Sequence, residues 1–157
     1  MLSRIFPRQI DNVYRGHWLG AWLIVPVVLI RLAQGISSMV DPRFIAAGAD
    51  AIPLDRYAPD AAAAVVALFA LLGLSISLLL LFGVVVLIRY RAMIPLLYLI
   101  VLLQGAGTKV LVMLHPIARA GTSDSQTASL IVWSILTATI IGFVLSLMQR
   151  PPKAGAP

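Results

Sequence analysis

Arg31 and Lys109 interrupt long apolar stretches. An ionisable side chain in such a place is costly and faces protein or water rather than lipid. Counted at the rise of a helix from Asp41 and His115, Arg31 lies roughly 15 Å and Lys109 roughly 9 Å inside. Gln104 falls near the depth of Arg31, and Gln34 near that of Lys109. Arg31, Gln34, Gln104 and Lys109 therefore form a candidate site for an anion or an anionic lipid, opening outward. No Asp or Glu lies within the apolar stretches, so the counter-charge must come from elsewhere. Lys109 is shallow enough to snorkel to headgroups. For Arg31 the candidates are backbone carbonyls at a helix break, an aspartate dipping in from a loop, or an anionic ligand.

Other chemistry is poorly supplied. Cysteine is absent, which removes disulfides, thiolate metal sites and cysteine nucleophiles. His17 and His115, the only histidines, fall near opposite ends of the apolar region and cannot share one zinc or one haem. Serines and threonines in the apolar stretches have no neighbouring base, and a carboxylate acid/base pair would have to come from a loop. No catalytic residue, metal site or cofactor is expected. The net charge of +6 is spread over positions flanking the apolar stretches, with no aromatic-rich basic surface, so nucleic acid is not an expected partner.

Several elements must position these residues. Of 157 residues, 61% are hydrophobic and only 11% charged, far from the balance of a water-soluble domain. A spanning helix needs roughly 20 apolar residues. Four segments qualify, at about 18–40, 61–88, 93–114 and 128–148, so the expected fold is an all-α, four-transmembrane-helix bundle over residues 17–149. Residues 1–16 are expected to form a cytoplasmic segment and residues 150–157 a disordered cytoplasmic tail. Orientation follows the bias of Arg and Lys toward cytoplasmic loops. Arg4, Arg8, Arg15, Arg89, Arg91, Arg150 and Lys153 fall on one side, and only Arg43, Arg56 and Arg119 on the other. Both termini are thus expected inside. A cleaved signal peptide ending near Ala33-Gln34-Gly35 is the alternative, but Arg31 interrupts its cleavage region.

Helices in a bilayer associate through small residues and hydrogen bonds. Ser134, Ala138, Gly142 and Ser146 recur every four residues in span four, and Gly73 and Ser77 do so in span two. These are expected to be helix-packing positions, within one bundle or along a homo-oligomer seam. The outer loop, 41–60, contains Pro42, Gly48, Pro53 and Pro59 together with Ile52, Leu54 and Tyr57. It reads as an irregular surface loop or as a short re-entrant or interfacial cap over the outer mouth.

Residues 41–103 carry the sequence AIPLD after span one, a long Gly- and Leu-rich span two, and the basic turn LIRYRA. In this order of features the chain resembles the small bacterial DoxX-like four-helix membrane proteins. The acidic residue often found in that family's second span is absent, with Phe69 and Ala70 around its place. The resemblance implies a bacterial inner membrane and a role as accessory partner of a larger membrane protein, and it carries over no catalytic residue. The expected function is that of a non-catalytic accessory or lipid-interacting bundle. A transporter or channel for a small anionic solute, using Arg31 and Lys109, is the alternative, and an enzyme acting on lipid or quinone ranks last.

Overall fold

The computed structural model describes residues 5–7, 9–117, 119 and 123–148, with side chains from 126 onward in the last segment. Arg4, Arg8, Arg150, Lys153 and the 150–157 tail lie outside the described residues, as does the side chain of Asp124.

Among the described residues the secondary structure is helical throughout, and four helices are long and apolar enough to cross a membrane. They are α1 (Trp18–Val40), α2 (Pro59–Arg89), α3 (Ile94–Leu114) and α4 (Ser123–Leu147). Helix α4 begins five residues before the apolar run from 128. Helix α2 has 31 residues, about 46 Å at helical rise, against about 30 Å for a hydrocarbon core.

Local chemistry sets the ends. The His17 Nδ1 atom accepts from the backbone N–H of Leu19 at 3.3 Å, capping α1. Proline stands in the first turns of α2 and α3, where its missing N–H has no intrahelical partner to lose. Asp60 begins α2 and Arg89 ends it, each with the sign that its end of the helix dipole favours.

Two backbone bonds gather one end of the bundle. The His17 N–H donates to the Leu145 carbonyl, and the Ala92 N–H to the Asp11 carbonyl, each at 3.2 Å. The start of α1, the tight α2–α3 turn and the finish of α4 therefore meet at what we call the terminal end. A strap formed by residues 9–17 crosses it, held by a two-pronged Arg15–Asp11 ion pair. Under this strap a pocket of about 110 Å³ lies between Val13, Tyr14, Ala92, Pro95 and Ser146.

At the opposite, loop end, residues 41–58 are ordered by their own chemistry. The Asp41 carboxylate caps the short helix Pro42–Phe44 through the Phe44 N–H at 3.0 Å. A π-helical turn, Ile45–Ala49, follows. Ala51 then adopts a left-handed conformation with φ 53°, which costs a non-glycine residue about 1–2 kcal/mol. The turn brings Ala46, Ile52 and Leu54 into one buried cluster, against Tyr57, Val65, Val66 and Phe69. The segment is a structured cap resting on the extra turns of α2, not an irregular surface loop.

The main core occupies the terminal half: Ile24, Val27 and Val28 of α1, Leu80 and Val86 of α2, Ile94, Leu97, Tyr98 and Val101 of α3, and Ile135 of α4. Helix α1 packs most broadly on α2 and then on α4, and α3 leans on α4. Helices α2 and α3, although joined by the tightest turn, make little contact with each other.

Small residues set the close approaches. A Cβ added to Gly73 would lie 2.7 Å from the carbonyl oxygen of Gly35 and 2.7 Å from the backbone nitrogen of Met39. The same addition at Gly35 would meet the Ser77 hydroxyl at 2.7 Å. Gly73 and Ser77 thus form the seam with α1. On α4, Gly142 and Ser146 are buried and Ala138 is half-buried, but Ser134 is exposed. The reason is helical pitch: residues four apart drift about 40° per step around a helix of 3.6 residues per turn. Over three steps the face turns about 120°, so the buried stripe is instead Ile135, Thr139, Gly142 and Ser146. Ser134 bonds to the Leu130 carbonyl of its own helix.

Candidate functional site

The interior changes character halfway along the bundle. On α1 the apolar stripe Ile24, Val27 and Val28 continues at helical spacing as Arg31, Gly35 and Ser38. On α3 the stripe Leu97, Tyr98 and Val101 continues as Gln104, Gly105 and Thr108. Arg31, Gln104 and Gly105 are half-buried, and Thr108 is exposed although it shares the face of fully buried Tyr98 and Val101. Along α3 and beside Arg31 the interior of the loop half is therefore more polar and less covered than that of the terminal half.

Arg31 reaches across to α3. Its Nη2 lies 3.4 Å from where a Cβ on Gly105 would stand, an ordinary van der Waals separation, so the guanidinium packs beside the α3 backbone at Gly105. Gly105 is ten residues from the end of α3 at His115, just as Arg31 is ten from Asp41. No helix break offers carbonyls: the Arg31 Nε is buried without a hydrogen-bond partner among the described residues, and so is Gln104 Oε1. Each such group costs about 1–3 kcal/mol when buried unpaired. A cavity of about 10 Å³ lies against Arg31, walled by Val101, Val132, Ile135 and Thr139. That volume holds roughly one water molecule.

Lys109 has a different partner. Its Nζ sits over the indole of Trp133 on α4, 5.2 Å from the ring centroid, within cation–π range. Side chains tilt toward the start of their helix, so on α3 this lysine leans into the bundle, where the indole receives it in place of headgroups. The loop aspartate with a cationic partner is Asp50, which meets Arg119 at 3.4 Å, not Arg31. Burial raises the Asp50 pKa, and the charges of Arg119 and Lys109 partly oppose that rise.

The four candidate residues thus separate. Arg31 and Gln104 lie together around Gly105, and Lys109 joins Trp133 and the field of Asp50. The Gln34 carbonyl accepts from the Ser38 hydroxyl at 2.9 Å, but no hydrogen bond joins its side chain to Arg31. Gly105, Trp133 and Asp50 were absent from the sequence-based set. Only Gly105 left a signal there, in the run Gln104-Gly105-Ala106-Gly107 within a span of bulky residues. Among the described residues no cluster of three or more His, Asp or Glu side chains could hold a metal ion.

No family model, no curated protein and no solved structure matches this chain.

Proposed function

We propose that this chain is a non-catalytic accessory bundle of a bacterial inner membrane, with both termini in the cytoplasm, and that it acts by binding. The carrying observation is Arg31: a guanidinium on an apolar helix, against Gly105 of α3, whose buried Nε has no hydrogen-bond partner and which makes no ion pair among the described residues. Such a group is expensive unless something outside the bundle completes it. The positive-inside bias supports the orientation, and the resemblance to DoxX-like proteins supports the accessory role. Anion passage is the weaker reading, since the cavity against Arg31, at about 10 Å³, is far smaller than a solute anion. Catalysis on lipid or quinone lacks an acid/base pair beside the site.

Native mass spectrometry directly from membranes tests this reading. The expected result is a stoichiometric complex with another membrane protein or with bound lipid. A homo-oligomer with nothing bound, coupled to anion flux into vesicles that Arg31→Gln abolishes, would establish transport instead.

A further inference from the structure

The pocket under the strap, about 110 Å³ in volume, has room for roughly three or four waters at about 30 Å³ each, or for one phosphate group. Its walls are of two kinds. Val13, Ala92 and Pro95 are apolar, while Tyr14, Arg15 and Gly16 bring hydrogen-bond donors. The backbone N–H groups of Tyr14, Arg15 and Gly16 make no hydrogen bond among the described residues, although Gly16 is buried. A buried N–H is almost always paired, whether with protein, with water or with a ligand. Arg15 adds charge to these donors. A guanidinium has five N–H donors, and the ion pair with Asp11 engages Nη1 and Nη2 once each. The remaining donors can serve an anion without breaking that pair.

Charge and depth narrow the occupant. Of the six acidic residues in the chain, Asp11 alone lies at the terminal end, against Arg15, Arg89 and Arg91. This end therefore favours an anion over a cation. Trp18 and Trp22, exposed at 51% and 68% in the first turns of α1, mark the level at which indole rings meet lipid headgroups. The pocket lies at that level, between the residues just before α1 and the start of α3.

We infer that this pocket binds the phosphate of an anionic phospholipid, held by the Arg15 guanidinium and the free N–H groups of Tyr14, Arg15 and Gly16, with Val13, Ala92 and Pro95 around it. The site is separate from Arg31 and does not depend on the accessory reading.

The test uses the full chain in neutral detergent micelles with equimolar phosphatidylglycerol and phosphatidylcholine, read by native mass spectrometry. Phosphatidylglycerol should be retained in preference to phosphatidylcholine, whose choline the arginines of this end disfavour. Arg15→Gln should weaken retention about tenfold, the loss of a hydrogen bond between charged groups. Asp11→Asn can still accept from the Val13 N–H and frees the guanidinium, so it should keep or strengthen retention. Val13→Glu, a change at an exposed position, should abolish retention by placing a carboxylate beside the pocket, while Val13→Gln should keep it. Equal retention of the two lipids, or retention unchanged in Arg15→Gln, overturns the inference. So does an equal loss in Arg15→Gln and Asp11→Asn, which would make Arg15 a fastener of the strap and nothing more. Saturation by millimolar inorganic phosphate with no lipid retained would overturn it in favour of a soluble phosphate.

Discussion

Two tyrosines near the terminal end share one crossing and differ in what their hydroxyls gain. Tyr98 reaches from α3 past Gly142 and donates to the Gly20 carbonyl at 2.8 Å. The Tyr14 hydroxyl, wedged against Gly16 and Gly20, is buried and has no partner among the described residues. Removing a hydrogen bond of the first kind costs about 0.5–1.5 kcal/mol, whereas removing an unsatisfied buried hydroxyl relieves a penalty. Tyr98→Phe should therefore lower stability by about 1 kcal/mol, and Tyr14→Phe should leave it unchanged or raise it, measured by unfolding in mixed detergent micelles. Burial also raises the Tyr14 pKa from 10.0 to about 12. Between those values the folded state holds a proton that the unfolded state has lost, so stability falls as pH rises through that window. The decline should be shallower in Tyr14→Phe.

At the scale of the elements, the four helices were legible because length and apolar composition alone decide them. The α4 stripe was only half legible. A count of four keeps two neighbours on one face but not a whole helix, and the true buried spacing of four, three and four emerges only once the partner helices are placed. Gly142→Leu should cost about 3 kcal/mol or more, since even its Cβ would collide with the Tyr98 ring. Ser134→Leu should change stability by less than about 0.5 kcal/mol, because that position is exposed. Unfolding of the two variants side by side separates packing within the bundle from a seam between copies, where Ser134 would matter as much as Gly142. The partners of Lys109 and Asp50 were hidden for another reason. Trp133 and Arg119 are 24 and 69 positions away, and no local periodicity encodes contacts at such separations. The same holds for the strap: residues 9–17 carry no helical or strand pattern, and their bonds to Ala92 and Leu145 exist only in the assembled fold.

For the molecule as a whole, the absence of cysteine makes its disposition across a membrane directly measurable. A single cysteine replacing Gly48, where an added Cβ approaches only the Phe44 ring at 3.9 Å, should react with an impermeant maleimide in intact cells. One replacing Tyr90 in the α2–α3 turn should react only after permeabilisation. The reverse pattern would invert the bundle and turn the cap at the loop end toward the cytoplasm.

The bond from the His17 N–H to the Leu145 carbonyl also orders events in time. Residue 17 leaves the ribosome well before residue 145, its acceptor, so the strap has nowhere to settle until α4 has been inserted. During synthesis the terminal end stays unlatched, and Tyr14 cannot take its place between Gly16, Gly20 and Ser146. Closure of that end is therefore a report that all four helices have been made.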